Sequence, residues 1–278
     1  MDRNELKKLL NSGKTLIMPD AYDAISAKLI EKSGFKAVQC SGYSFSTVAG
    51  YKKESEMTLD ENLEWTRCIV NAVNIPVMAD AEDGYGGPEE VIETVNRFIR
   101  VGVSGLNIED QIPDFNYPLN LVDEELMIKK IKIARKTSIA LDFPEFIING
   151  RTDALKSTEN RNKGLKTAIN RANKYLEAGA DLAFIPYVET LDEVKKIKSE
   201  VEGPVSIAAG MNYNINQFSI GDLVECGVER VSLPTLLLFS SLQAIQKSLK
   251  YLKKDQLLEF VKTDWIYPYS DLNKLWKS

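Results

Sequence analysis

The stretch Pro76-Val77-Met78-Ala79-Asp80-Ala81-Glu82-Asp83-Gly84-Tyr85-Gly86-Gly87 passes from an apolar run through three acids into glycines. An apolar run closed by turn formers predicts a buried strand that ends in a loop. If extended backbone persists through Glu82, side-chain alternation puts Asp80 and Glu82 on the same side, roughly 7 Å apart by the strand rise. Two carboxylates facing one spot in a dry site repel each other unless a cation sits between them. A hard, oxygen-preferring ion such as Mg²⁺, with Mn²⁺ as a substitute, meets that need. Acidic turns are also common as solvated loops or as partners of nearby Lys and Arg, so this stretch alone leaves both readings open.

Other short apolar runs end in chemically useful residues. Asp20-Ala21-Tyr22-Asp23 follows one, and Ser41-Gly42-Tyr43-Ser44 follows another, its small residues able to aim backbone N–H groups at an anion. Asn107-Ile108-Glu109-Asp110-Gln111 and Asn149-Gly150-Arg151-Thr152-Asp153 add two more. There is no histidine, which excludes Ser-His-Asp, Cys-His and His-ligated zinc chemistry in their usual forms. Several acids with a single arginine describe a site for a divalent metal and a carboxylate substrate, with Arg151 binding the anion through two hydrogen bonds. The alternative for Arg151 is a structural salt bridge to Glu109 or Asp153. Tyr22 and Tyr85 read better as packing or loop anchors than as acids, because a free phenol titrates near pH 10. Cys40, Cys68 and Cys226 read as buried small hydrophobes.

These residues must be placed by a scaffold. Strand-like runs occur at Leu16–Pro19, Ala37–Ser41, Pro76–Asp80, Gly105–Glu109, Phe146–Asn149, Leu182–Pro186, Val205–Ala209 and Arg230–Leu233. Between them Ala24–Ser33, Leu59–Val73, Pro88–Val101, Glu124–Ser138, Lys163–Ala178, Leu191–Val201 and Ile215–Cys226 carry apolar residues at three- and four-residue spacing. Eight such units predict one TIM-type (β/α)8 barrel spanning residues 1–278, with the strand ends just named converging on one rim. A helix over about 235–252 and an aromatic tail, Trp265-Ile266-Tyr267-Pro268-Tyr269, form a C-terminal extension that packs on a second subunit or on the barrel's own base. The proline-pinned segment Gln111–Asn120 reads as a lid over the site or as a surface excursion.

At 278 residues with 44% hydrophobic and 27% charged residues, the chain can bury a large core. Its net charge of −5 and lack of a basic block argue against nucleic acid. No run is apolar enough for a membrane span, the first residues lack a signal-peptide pattern, and three widely spaced cysteines fit reduced thiols; a cytoplasmic protein is expected.

Together and in order, Met18-Pro19-Asp20-Ala21-Tyr22-Asp23-Ala24, Ser41-Gly42-Tyr43-Ser44, Asp80-Ala81-Glu82-Asp83-Gly84-Tyr85-Gly86, Ile108-Glu109-Asp110-Gln111 and Gly150-Arg151-Thr152-Asp153-Ala154 resemble the isocitrate lyase and phosphoenolpyruvate mutase superfamily over nearly the whole chain. The resemblance implies Mg²⁺ held by Asp80, Glu82 and Glu109. It implies that Arg151 and backbone N–H groups near Ser41, Gly42 and Tyr43 hold a small 2-oxo or 2-hydroxy acid, with Tyr22 also at the substrate. It further implies a last helix exchanged between subunits of a dimer or tetramer.

Two departures shape the expected reaction. No Lys-Cys-Gly-His-type loop follows Ile-Glu-Asp-Gln, which weakens isocitrate-type cleavage. Simple register also puts Lys53 where mutases carry an Asp near the metal, unless Glu54 or Glu56 substitutes. What remains is a Mg²⁺-dependent lyase or decarboxylase that cleaves a C–C bond of a 2-oxo diacid such as oxaloacetate through an enolate, with Arg151, Glu109 and Lys53 in catalytic positions. A phosphonomutase or phosphonopyruvate hydrolase is the second enzyme reading. A barrel that binds metal and 2-oxo acid without chemistry is the third.

Overall fold

The computed structural model describes residues 3–112 and 117–276. Its strands are β1 (Leu16–Pro19), β2 (Val38–Gln39), β3 (Val77–Asp80), β4 (Gly105–Glu109), β5 (Ile147–Arg151), β6 (Leu182–Ile185), β7 (Val205–Ala208) and β8 (Arg230–Leu233). All pair in parallel in the order β1-β8-β7-β6-β5-β4-β3-β2. Asp20 bridges Gln39, with the Ala21 N–H donating to the Gln39 carbonyl at 2.9 Å, and this nearly closes the sheet into a barrel. Helices cross between successive strands and cover the outer face of the sheet, while Gln39, Asn107, Asn149, Ser206, Arg230 and Ser232 are buried polar residues of the strands.

Each expected strand is present. Helix starts are set by local chemistry: Thr58 with Glu61, Thr190 with Glu193 and Ser219 with Asp222 form capping boxes, and Pro88 opens the helix Pro88–Val101. That helix ends at Gly102, whose φ of 103° suits glycine. The expected helix over 215–226 contracts to Ile220–Glu225, because Asn214 spends its side chain on the Met211 N–H and the Val188 and Ala208 carbonyls and holds a turn before Ser219.

A helix that periodicity did not predict, Gly42–Ala49, follows β2 directly. Its serines and β-branched residues have weak helix propensity, and burial of Phe45 against the barrel supplies what propensity lacks. The C-terminal extension forms helices Leu236–Lys253, Leu257–Phe260 and Tyr269–Leu275. Phe239, Leu242, Ile245, Leu249 and Leu252 stand exposed along the first of them. No helix among the described residues is long and apolar enough to cross a membrane.

Asp20, at the end of β1, is buried; its Oδ2 accepts from Ser44 Oγ and from the Thr235 N–H at 3.3 Å, while Oδ1 has no partner. Burial pushes its carboxyl up to about 7, against the pull of those two donors. A raised carboxyl pKa stabilises the fold fully below the unfolded value near 4, and that contribution is lost as pH rises through about 7. Asp20→Asn keeps the acceptor and removes the charge. We expect it to be more stable than wild type at pH 8, by on the order of 2 kcal/mol, and so to unfold at a higher temperature, and the gap to close towards pH 4. Thermal unfolding at the two pH values checks this.

Candidate active site

The backbone does not continue as the extended reading required. β3 stops at Asp80, the Gly84 N–H turns back to the Ala81 carbonyl at 2.8 Å, and Glu82 takes a left-handed φ of 50°. Glu82 still reaches the Asp80 carboxylate, but through a turn rather than by strand alternation. The Asp80 side chain is fixed from two sides, by the Gly42 N–H on Oδ2 at 3.3 Å and the Glu82 N–H on Oδ1 at 3.4 Å.

A third acid joins them from the short 3₁₀ turn Glu54–Glu56. Glu54, Asp80 and Glu82 each present a carboxylate oxygen, and the three oxygens lie within 4.8 Å of one another. Register is corrected here: Lys53 stays exposed, and its neighbour Glu54 turns inward. Glu109 is not part of this trio; its carboxylate pairs with Arg151 Nη1 at 2.5 Å.

Burial raises the carboxyl pKa of all four acids. Glu54 rises to about 7, pushed up by burial and then by Asp80. Glu82 goes well up from burial and from Glu54, Asp80 and Glu109 together, while Asp80 and Glu109 rise from burial against the pull of Arg151. Acids so close cannot all ionise without a cation among them. Three convergent oxygen donors with that electrostatic deficit suit a hard divalent ion.

Arg151, at the end of β5, spends Nε and Nη2 on Asp153 at 2.8 and 2.9 Å and Nη1 on Glu109. The salt-bridge alternative posed by the sequence holds, to both Glu109 and Asp153, and the same residue lines the cavity at the barrel mouth. Asp153 is seated in turn by its N–H on Asp110 Oδ1 at 2.9 Å. Asp110 is held by the Tyr175 hydroxyl at 2.6 Å and Arg171 at 2.9 Å.

The acidic loop is supported from behind by buried side chains. Asn62 donates to the Asp80 carbonyl at 3.0 Å and to the Tyr85 hydroxyl at 2.7 Å, Thr94 to the Gly84 carbonyl at 3.0 Å, and Lys130 to the Asp83 carbonyl at 2.6 Å. Sequence reasoning missed Asn62, Thr94 and Lys130. The available signal was a polar residue at a core-facing position of each amphipathic helix, which implies a buried partner. Tyr85 is thus a loop anchor.

The cavity above the strand ends has a volume of about 990 Å³ and includes Ser41, Tyr43, Glu54, Asp80 and Arg151 in its wall. Tyr22 is not in the described lining; its hydroxyl meets Ser241 Oγ at 2.6 Å on the C-terminal helix. Cys40 is buried in the cavity wall, but Cys226 is half-buried and Cys68 is exposed on an outer helix, contrary to the expectation for all three. Much of the expected lid, residues 113–116, lies outside the described residues; at its base the Ile112 N–H donates to the Asn120 carbonyl at 2.9 Å.

Gly42 is required sterically. A Cβ there would fall 1.5 Å from Glu82 Oε1. We expect Gly42→Ala to push Glu82 out of the cluster and weaken divalent-ion binding by roughly 10- to 100-fold, comparable to losing a supporting contact of a metal ligand, with the far-UV circular dichroism unchanged. Metal titration by calorimetry checks this.

The model of the phosphoenolpyruvate phosphomutase family matches residues 6–253. The chain belongs to that family. As a phosphomutase-family member it lies within the phosphoenolpyruvate mutase/isocitrate lyase superfamily of enzymes. The family relatives it resembles include 2,3-dimethylmalate lyase of Eubacterium barkeri, 34% identical over 72% of this chain and 68% of the relative. They also include 2-methylisocitrate lyase of Halalkalibacterium halodurans, 29% identical over 91% and 82%. The crystal structure of oxaloacetate acetylhydrolase with its product oxalate superposes with a TM-score of 0.88 over 98% of this chain and 93% of that one; at 24% identity this shows the shared fold.

Proposed function

We propose that this protein is a Mg²⁺-dependent lyase or decarboxylase that breaks a C–C bond of a small 2-oxo or 2-hydroxy diacid, such as oxaloacetate, through an enolate. The observation that carries the reading is the trio Glu54, Asp80 and Glu82, of which Glu54 and Asp80 line the cavity together with Arg151. Asp80 and Glu82 would hold the ion together with Glu54, and Glu109 would orient Arg151 through their ion pair. When bound, Mg²⁺ supplies Lewis-acid polarisation of the substrate carbonyl.

The chain's own groups do the rest. Arg151 holds the substrate carboxylate and the negative charge that develops as the bond breaks. The helix Gly42–Ala49 points its N-terminus, with Ser41 and Tyr43, at the same cavity, where its dipole favours an anion. Burial pushes the carboxyls of Glu54, to about 7, and of Glu82 towards the protonated form when no cation is present. The cleavage needs an electron sink more than a strong base, which suits a site without histidine.

A specific observation supports a second reading, the phosphonomutase or phosphonopyruvate hydrolase. Glu54 sits in the carboxylate cluster, in the segment where Lys53 had been expected in place of the mutases' acid. Pyruvate release from oxaloacetate and from phosphonopyruvate, each with Mg²⁺ and with chelator and corrected for uncatalysed decay, separates the two. Turnover of oxaloacetate alone supports the lyase; turnover of phosphonopyruvate supports the second reading. Metal binding with silence on both substrates would overturn both and favour a binding protein.

The same proposal includes assembly in the cytoplasm. The apolar stripe from Phe239 to Leu252, with exposed Trp265, Ile266 and Tyr269, supports packing against a second copy with exchange of the C-terminal helix, in a dimer or tetramer.

A further inference from the structure

We propose that Lys156 receives a second anionic group of the substrate, carboxylate or phosphonate, and so selects dianions over simple 2-oxo and 2-hydroxy monoacids. The inference rests on the reading just given and deepens it.

Arg151 and Lys156 are the cationic side chains in the described wall of the cavity. They differ in what they have left to offer. Arg151 gives Nε and Nη2 to Asp153 and Nη1 to Glu109, so two carboxylates already balance its charge. The Lys156 ammonium has three donors, and it reaches Glu189 Oε1 only at 3.5 Å. Glu189 is partly exposed and is shared with Arg161, also at 3.5 Å, so its charge is met without Lys156.

Aromatic rings keep the ammonium in place without using its donors. Nζ lies 5.8 Å from the ring centroids of both Tyr117 and Tyr187. Tyr187 lines the cavity together with Lys156 and Arg151. The Lys156 side chain is 28% exposed, enough to be reached from the cavity.

Charge decides what belongs there. Glu54 and Asp80 line the same cavity and repel any anionic group that is not neutralised. A monoacid needs one cationic partner, which a divalent ion held by the cluster would supply together with Arg151. The far anion of a diacid needs another, and Lys156, whose carboxylate contact is the 3.5 Å one to Glu189, is the cationic group in the wall not closely paired with an acid. An ammonium accepts carboxylate or phosphonate oxygens without the geometric demand of a guanidinium.

The test uses the full chain with Mg²⁺ and three ligands sharing one 2-hydroxy acid head: lactate, malate and 3-phosphonolactate. Calorimetry measures their Kd for wild type, Lys156→Met and Lys156→Arg. Lys156 props up no buried acid, so the methionine variant should keep its fold. We expect Lys156→Met to weaken malate, 3-phosphonolactate or both by about 10-fold or more, to leave lactate within about 2-fold, and Lys156→Arg to restore most of the loss. Which of the two dianions loses more identifies the second group. An equal loss for lactate, or no loss for either dianion, overturns the assignment of Lys156 while leaving the lyase reading intact. Failure of wild type to bind any of the three with Mg²⁺ overturns that reading, and this inference falls with it.

Discussion

Arg151→Met should lower turnover of the substrate by on the order of 10³-fold and should do so in kcat as well as in KM. A single donor aimed at developing negative charge is commonly worth 10²- to 10³-fold. Arg151 brings a full charge to a site whose other buried groups are mostly acids. The substitution also strands Glu109 and Asp153, both buried and both paired to this guanidinium. Breaking a buried pair from one side typically costs about 3–5 kcal/mol, because the remaining charge loses its partner and not its burial. Part of that cost is avoidable: the stranded Glu109, already pushed up by burial, can take a proton. The stability deficit should therefore be larger at pH 8 than at pH 5. Arg151→Lys, which retains the charge but not the fork, should fall between the two in rate. Steady-state kinetics with denaturant unfolding at both pH values measures all of this. A methionine variant with near-normal kcat would remove Arg151 from the chemistry.

Mg²⁺ should raise the thermal unfolding temperature, by roughly 5–10 °C at pH 8 and by much less at pH 5. The sign follows from the raised carboxyls. Acids whose folded pKa lies above the unfolded value stabilise the fold below the unfolded pKa and lose that contribution as pH rises through the folded one. For Glu54 the window runs from about 4.5 to about 7, and Glu82 moves in the same direction. At pH 5 Glu54 holds a proton, and a divalent ion must displace it. At pH 8 the ion meets carboxylates that repel one another, and it binds only the folded state, where they converge. An ion at 100 times its Kd adds about 2.7 kcal/mol by mass action, which at about 2–4 °C per kcal/mol gives the stated shift. Asp80→Asn should abolish the shift and make the metal-free protein more stable at pH 8. Equal shifts at both pH values, or none at either, would remove the metal from this site.

Much of the scaffold was legible from local pattern. The eight strands and most helices followed from apolar spacing punctuated by Gly, Pro and capping residues, because each such element is decided within a few residues of chain. Asp80, Glu109 and Arg151 were legible as strand ends for the same reason: in a parallel barrel every strand delivers its last residues to one rim. The roles assigned to Tyr22 and Lys53 were not borne by the geometry. Tyr22 turns to Ser241, more than two hundred residues away in the chain, and Lys53 gives way to Glu54 because the turn there is a 3₁₀ segment whose side-chain directions no periodicity reveals.

The sequence by itself determined the barrel, Asp80, Glu109 and Arg151 at its strand ends, and the exclusion of histidine chemistry. Only the tertiary structure decided which acids meet. Whether Glu54 or Glu109 stands with Asp80 and Glu82 depends on a left-handed turn at Glu82, on carbonyls held by Asn62, Thr94 and Lys130 from separate helices, and on Arg151 drawing Glu109 to itself. Those contacts join residues far apart in the chain, and their energies come from burial and charge, which a one-dimensional spacing does not carry.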